Sequence, residues 1–167
     1  MAAYPPMALH LETERLVLGP WAEADIEHLR ALHAERDARF PPPPDPEASI
    51  AALMAAPARA GISLLTVRRR EEGDFVGYCG LVVGRCSLQE PEIAYELFQR
   101  AHGCGYATEA ARAVLGAAAA TGRTRLWSTV RAWNAASLRV LDKLGFERDH
   151  VTADERGEVV WHTRQLP

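Results

Sequence analysis

Hydrophobic and polar residues follow two periods along this chain, and together the periods predict a mixed α/β fold. Alternating apolar positions with aromatic and β-branched residues are typical of strands, and apolar residues every three or four positions indicate amphipathic helices. The predicted strands cover residues 9–21, 62–69, 75–83, 92–98, 125–131, 146–152 and 159–166. The predicted helices cover residues 22–36, 46–58, an alanine-rich run ending at Gly122, and residues 134–144.

The order of these elements, β-α-α-β-β-β-α-β-α-β-β, predicts how the strands pair. Short turns, such as the one at Gly73, join antiparallel strands. The strand–helix–strand unit between Glu92 and Arg131 requires a parallel pair with a right-handed crossover. The sequence therefore predicts one domain over residues 1–167, with a mixed, mostly antiparallel central sheet flanked by helices.

Composition narrows the classes of protein that fit this fold. Hydrophobic residues make up 48% and charged residues 25%, which indicates a folded chain. The net charge of -3 argues against a nucleic-acid partner. No apolar run approaches membrane-spanning length, and MAAYPPMALH lacks the features of a signal peptide. The three cysteines lack metal-ligand spacing. We therefore expect a cytoplasmic protein with reduced thiols and no metal, either a monomer or a homodimer.

A glycine-containing turn between the fourth predicted strand and the alanine-rich helix is the clearest candidate for a ligand site. Such a turn brings backbone N–H groups and the positive end of a helix dipole against a phosphate. A dinucleotide fingerprint would need glycine at Thr108, and a Walker loop would need Gly-Lys-Ser/Thr after the turn, where Tyr106 and Ala107 stand. What fits is R-x-x-G-x-G, formed by Arg100, Gly103 and Gly105.

This turn resembles the acetyl-CoA loop of the GCN5-related N-acetyltransferase (GNAT) superfamily. The segment IAYELFQRAHGCGYATEAARAVL is similar to the branch that contains the RimJ/RimL-like ribosomal-protein alanine N-acetyltransferases. The segments LETERLVLGPW and VRAWNAASLRVLDKLGF resemble the same branch, and the three occur in the family's order over nearly the whole chain. Many relatives carry Lys or Arg where this chain has Cys104, so the resemblance implies weaker attraction for phosphate here.

The resemblance implies a GNAT fold in which two parallel strands splay apart and admit the pantetheine arm of acetyl-CoA. Splayed strands leave backbone groups unpaired, and an amide-containing arm satisfies them. Glycines in the turn allow close approach of the backbone to the pyrophosphate. The implied cofactor contacts are Leu97, Phe98, Arg100, Gly103, Cys104, Gly105, Tyr106, Ala107, Thr108 and Asn134. The basic residues 68–70 either contact the 3′-phosphate of the cofactor or form a solvated hairpin.

Acetyl transfer to an amine requires a base for the ammonium and a group that stabilises the departing thiolate. The resemblance implies Glu92 of the EIAY segment as the base. Strand alternation puts Glu96 on the same face of the strand as Glu92. Asp154 and Glu155 are reserve candidates for the base, because relatives sometimes carry a carboxylate near the last hairpin. Many acetyltransferases place a tyrosine seven residues after the asparagine of the NAAS segment, where this chain has Leu141 instead. The resemblance also implies that Ser137 lies near the sulfur, and without the tyrosine we expect Ser137 to hydrogen-bond the thiolate or to relay a proton through water.

Two functions from different classes remain open at this point. The first is an acetyl-CoA-dependent N-acetyltransferase that acts on a primary amine, either a peptide or protein N-terminus or a small molecule. The second is an acyl-CoA-binding module that has lost catalysis. The glutamate of EIAY and the serine of NAAS favour the enzyme, whereas the missing tyrosine and the missing loop cation leave room for the module.

Overall fold

The computed structural model describes residues 4–167, so residues 1–3 of the predicted domain lie outside the described part. Eight strands and four α-helices follow one another along the chain. The strands are β1 (Leu11–Glu12), β2 (Leu16–Gly19), β3 (Leu64–Arg69), β4 (Phe75–Val82), β5 (Glu92–Leu97), β6 (Arg125–Arg131), β7 (Glu147–Asp154) and β8 (Gly157–Gln165). The helices are α1 (Ile26–Ala34), α2 (Pro46–Ala60), α3 (Tyr106–Ala120) and α4 (Ala135–Lys143).

All eight strands form one sheet in the order β1-β2-β3-β4-β5-β6-β8-β7. Every neighbouring pair is antiparallel except β5 and β6, which are parallel and are connected through α3. The predicted fold class, a mixed and mostly antiparallel sheet with flanking helices, is confirmed. None of the helices in residues 4–167 is long and apolar enough to cross a bilayer.

The predicted first strand over residues 9–21 is wrong in one respect, because this segment forms two strands. β1 and β2 pair as a hairpin, with Leu11 opposite Leu18. The reversal lies at residues 13–15, where the Thr13 side chain accepts a hydrogen bond from the backbone N–H of Leu16 at 3.0 Å. No glycine or proline marks this turn, so its sequence signal is weak. β2 then joins β3 and extends the sheet to its first edge.

The parallel pair separates almost as soon as it forms, as expected. A single residue pair, Glu92 opposite Trp127, joins β5 to β6. By contrast, β4 and β5 pair along six positions and β6 and β8 along seven. The sheet therefore consists of two well-paired halves that meet at one bridge, and a gap opens between them beyond that bridge.

Helix α3 lies against the sheet through a face of small residues. Ala110, Ala111, Val114 and Ala118 are fully buried there. Alanine is the best helix former and lets a helix approach a sheet closely. Gly122, at φ +85°, follows the end of the helix. Because β5 leads into α3, this packing fixes the start of the helix at the mouth of the gap.

Candidate active site

A cleft of about 930 Å³ opens where β5 and β6 separate. Its walls come from α1 and the segment after it, from β5, from the turn before α3, and from β6 and α4. Of the predicted catalytic and cofactor residues, most line this cleft: Glu92, Leu97, Gly103, Gly105, Tyr106, Ala107, Thr108, Asn134 and Ser137. Phe98, Arg100 and Cys104 are not among the lining residues.

Along the edge of β5 that faces the gap, no neighbouring strand within residues 4–167 binds the backbone. Two side chains contact carbonyl groups there instead. Ser128 of β6 donates to the carbonyl of Ile93 at 3.3 Å, and the His102 ring lies 3.0 Å from the carbonyl of Leu97. These contacts show that every second residue of β5 directs its backbone toward the gap. By the same alternation, the backbone N–H and C=O of Tyr95 face the gap, between Ile93 and Leu97. An extended amide-bearing ligand would find hydrogen-bond partners there.

Phe98 and Arg100 are engaged elsewhere. The Phe98 N–H donates to Val76 at 2.9 Å, and its carbonyl accepts from Ala101 at 2.9 Å. The Arg100 guanidinium donates to Asp74 at 2.7 Å and to the carbonyl of Phe75 at 2.8 Å. Both residues hold the turn before α3 against β4. β5 ends at Leu97, one residue earlier than the predicted strand over residues 92–98, and Phe98 belongs to the turn.

The turn before α3 has the backbone geometry that a phosphate site needs. Gly103 and Gly105 have φ angles of +75° and +80°, in the region that favours glycine. The first hydrogen bond of the helix runs from the Glu109 N–H to the Gly105 carbonyl at 3.0 Å, so the preceding N–H groups of the first turn have no acceptor within the helix. No side chain caps this end. Thr108 is only 7% exposed and lines the cleft beside these N–H groups.

Arg15, in the β1–β2 turn, braces this loop from outside the cleft. Its guanidinium donates to the carbonyl of Cys104 at 2.9 Å and to Glu109 at 2.8 Å, and it stacks on the Tyr106 ring at 4.6 Å. Thr13 also donates to Glu109. The Cys104 side chain is exposed and outside the cleft. A residue more than 80 positions upstream thus orders the loop, which sequence reasoning did not anticipate.

Two cations on α4 line the cleft. Arg139 and Lys143, one helical turn apart, both line the cleft, and neither forms an ion pair with any described residue. The arginines of residues 68–70 are different, since Arg68 pairs with Asp25, Arg69 with Asp74 and Arg70 with Glu12. They lie outside the cleft, so the hairpin interpretation of this basic cluster fits the structure.

Glu92 is a buried carboxylate that lines the cleft and has no cation partner among the described residues. The residue is 7% exposed, and its Oε2 accepts a hydrogen bond from the backbone N–H of Arg85 at 3.0 Å. Its other oxygen, Oε1, is buried and has no partner among the described residues. A buried carboxylate oxygen without a donor is costly, and such groups concentrate at functional sites.

Glu96 lies on the same strand face but is bound by side chains from the segment after α1 and from β4. The guanidinium of Arg36 binds it through both carboxylate oxygens, at 2.6 and 3.2 Å, and the Tyr78 hydroxyl donates to it at 2.9 Å. Both oxygens of Glu96 are therefore engaged by other side chains, whereas Glu92 keeps one oxygen without a partner among the described residues. Strand alternation predicted the shared face correctly, but it did not distinguish the two glutamates.

Asp154, a reserve candidate, is held at the end of β7. Arg131 binds both of its oxygens, at 2.7 and 2.9 Å, and the Arg156 N–H donates to it at 2.8 Å. The hydrogen bonds from Arg131 lower the pKa of Asp154 to about 2. A general base works best when its pKa lies near the pH of the reaction, so Asp154 is unsuited to that role. Neither Asp154 nor Glu155 lines the cleft.

The helix α4 begins as predicted, and its first turn lines the cleft. The Asn134 side-chain oxygen accepts from the Ser137 N–H at 3.2 Å and caps the helix. The Ser137 hydroxyl lies 3.0 Å from the hydroxyl of Tyr95, which also contacts the Ser137 carbonyl at 3.2 Å. Burial raises the pKa of Tyr95 to about 12, so its hydroxyl keeps its proton at neutral pH. Sequence reasoning missed this tyrosine, because the contact joins residues 42 positions apart.

Comparison with known proteins is consistent with this geometry. Residues 15–147 match the family model described as "Acetyltransferase (GNAT) domain". The chain therefore belongs to the GNAT acetyltransferase family, as the sequence motifs predicted. Among curated proteins, the uncharacterised YkkB of Bacillus subtilis (strain 168) is 36% identical over 87 residues. That match spans about half of each chain, 51% in both cases.

Solved structures share the whole fold. An acetyltransferase from Agrobacterium tumefaciens str. C58 superposes with a TM-score of 0.78 at 24% identity, and the match covers 98% of both chains. RimL, described as a ribosomal L7/L12 α-N-protein acetyltransferase in complex with coenzyme A, gives a TM-score of 0.79 at 14% identity over 94% of this chain and 98% of its own. At these identities the similarity establishes the fold.

Proposed function

We propose that this protein transfers the acetyl group of acetyl-CoA directly to a primary amine, with the α-amine of a peptide or protein as the preferred acceptor. The observation that carries the proposal is the cleft at the separated β5–β6 pair, with an uncapped helix N-terminus at one end and an unpaired glutamate at the other. Membership of the GNAT family supports the same reaction.

The cofactor would lie along the gap. Its pantetheine amides would pair with the free backbone edge of β5 around Tyr95 and Leu97, and the amide of Asn134 would contact the same arm. The pyrophosphate would accept hydrogen bonds from the N–H groups at the start of α3, including Gly105 and Thr108. Arg139 and Lys143 would offset phosphate charge, in place of the cation that the loop lacks at Cys104.

Glu92 would act as the base, directly or through one water. An α-amine has a pKa near ~8, so much of it is protonated at neutral pH and cannot attack. When the first proton moves to Glu92, the neutral amine attacks the thioester carbonyl carbon, and the carbon–sulfur bond breaks. The nitrogen gives up a second proton, and coenzyme A leaves as a thiolate that takes up one proton to become the free thiol. No covalent bond to the enzyme forms, so none of the cysteines is needed as a nucleophile.

The thiolate would be stabilised by Ser137. When the Ser137 hydroxyl donates to the sulfur, the Tyr95 hydroxyl can turn its proton from the Ser137 carbonyl to Ser137 Oγ, across the 3.0 Å contact. The pair would then act as one hydrogen-bonded unit aimed at the leaving group. Tyr95 thus offers the phenol that the Leu141 position lacks, although from a strand and not from α4.

The preference for an α-amine has a physical basis. A lysine side chain has a pKa of about 10.4, so its deprotonation at neutral pH costs roughly 3 kcal/mol more than that of an α-amine. A single carboxylate is a modest base and favours the more acidic ammonium. The similarity to RimL, an α-N-protein acetyltransferase, points in the same direction. A small molecule with an amine of similar pKa is the alternative acceptor.

We place this reaction in the cytoplasm, with the protein acting as a monomer or a homodimer. The three cysteines Cys79, Cys86 and Cys104 are free, which is compatible with a reducing compartment. The proposal involves neither nucleic acid nor membrane. The buried Glu92 oxygen without a partner supports an enzyme over an idle acyl-CoA-binding module, which would have no use for it.

Peptides of matched sequence, with free or acetylated N-termini and one internal lysine, test the acceptor. Incubated with acetyl-CoA, the free peptides should gain one acetyl group at the N-terminus, located by tandem mass spectrometry, and the blocked peptides should not react. Equal acetylation of lysine in the blocked peptides would refute the α-amine preference. Tight binding of acetyl-CoA without faster release of coenzyme A for any peptide or small amine would favour the idle module.

A further inference from the structure

The turn between β4 and β5 is built around the Glu92 carboxylate. The backbone N–H of Arg85 donates to Glu92 Oε2 at 3.0 Å, and the preceding residue, Gly84, has a φ angle of +55°. The Arg85 side chain donates to Thr129 of β6 at 3.0 Å, which ties the turn to the opposite wall of the cleft. The turn therefore contacts both the candidate base and the neighbouring strand.

Gly84 leaves the space that the carboxylate occupies. A Cβ atom at this position would lie 2.7 Å from the carboxyl carbon Cδ of Glu92 and would overlap Oε2. Gly73 and Gly122 also have positive φ angles, +75° and +85°, but a Cβ atom there would meet nothing within 4 Å. Backbone conformation alone would explain a glycine at all three positions, whereas the need for space is specific to Gly84.

Because the β4–β5 turn binds one oxygen of the Glu92 carboxylate, it also fixes the direction of the other oxygen. Glu92 Oε2 is bound by the turn, and Oε1 is left without a partner. We infer that Gly84 is a positioning residue: it lets the Glu92 carboxylate lie against the Arg85 N–H, so that Oε1 is presented to the acceptor nitrogen. This inference rests on the proposed role of Glu92 as the base. Gly84 itself touches neither substrate nor cofactor in this scheme.

The first test measures position and needs no acceptor. In ¹⁵N-labelled protein, the Arg85 amide resonance should shift with pH as the carboxylate titrates, and Glu92→Gln should abolish that shift. Gly84→Ala should abolish it as well, while Gly73→Ala should leave it intact. Gly84→Asn repeats the test with a residue that tolerates positive φ better. Two results would overturn the inference. The first is a wild-type Arg85 amide resonance without a pH-dependent shift that requires Glu92, and the second is the same shift persisting in both Gly84 variants.

The second test measures rate, with a free-N-terminal alanine peptide as acceptor. Displacing a catalytic group by about 1 Å can cost about a hundredfold, so Gly84→Ala should lower kcat/KM for the peptide by that order. Gly73→Ala, with the same backbone strain in open space, should stay within about twofold of the wild type. The KM for acetyl-CoA should be unchanged in both variants.

A double variant separates positioning from general damage. In the Glu92→Gln background, Gly84→Ala should have little further effect, because the group that it displaces no longer acts as a base. An equal loss in both backgrounds would refute the positioning role. If Glu92→Gln itself is fully active, the base assignment of the proposed function fails. If Glu92→Gln is slow and Gly84→Ala is fast, only the present inference fails.

Discussion

The contact between Tyr95 and Ser137 allows a double-mutant cycle to test whether the two residues stabilise the coenzyme A thiolate together. A hydrogen bond to a charged group contributes about 1.5–3 kcal/mol, and one between neutral groups about 1 kcal/mol. Ser137→Ala would remove the bond to the thiolate and should lower kcat about tenfold, at the low end of that range. Tyr95→Phe removes the 3.0 Å contact with the Ser137 hydroxyl and the 3.2 Å bond to the Ser137 carbonyl, which together orient Ser137, and should cost about fivefold.

The two substitutions should not be additive. If Tyr95 acts through Ser137, Tyr95→Phe should have almost no effect in a Ser137→Ala background, which corresponds to a coupling energy of about 1 kcal/mol. The assay is release of the coenzyme A thiol, followed with a thiol-reactive dye at saturating acetyl-CoA. Additive effects of the two substitutions would refute the arrangement, and a Ser137→Ala variant at the wild-type rate would remove Ser137 from the chemistry.

Three further predictions concern the base and the loop. Glu92→Gln should slow the reaction most at low pH, where the acceptor is mainly protonated; an unchanged pH–rate profile would contradict the base assignment. Gly105→Val should abolish acetyl-CoA binding in calorimetry while the protein stays folded by circular dichroism, since a branched side chain is strained at φ +80° and blocks backbone approach. Arg15→Met should weaken acetyl-CoA binding about fivefold, because loop order worth about 1 kcal/mol is lost. Arg70 lies outside the cleft and provides the control: the Arg70→Met variant should bind acetyl-CoA as the wild type does.

Sequence patterns predicted the fold well because most of its elements have strong local signals. The strands around the cleft carry clear alternation, and α3 and α4 begin and end at recognisable residues. The β1–β2 hairpin was missed because its turn depends on distant contacts: Thr13 and Arg15 both bind Glu109, more than 90 positions along the chain. Secondary-structure propensity depends on neighbouring residues, so it does not report contacts between distant ones.

The candidate site was predictable by residue type and only partly by role. The EIAY segment pointed to two glutamates on one face, but the position of Arg36, in the segment after α1, decides which of them stays free of a cation. Likewise, alternation put Tyr95 on the opposite face, and only the packing of α4 brings Ser137 to it. Charge pairing between elements depends on tertiary distances, which a single sequence does not contain.

The single bridge between β5 and β6 has a consequence for unfolding. Two halves of a sheet joined at one residue pair can open independently, so native-state hydrogen exchange in the free protein should report two cooperative units with different opening free energies. A ligand that spans the gap contacts both halves and stabilises only the state in which they are joined. At a hundred times its Kd, such a ligand adds about 2.7 kcal/mol, and the two units should then exchange as one.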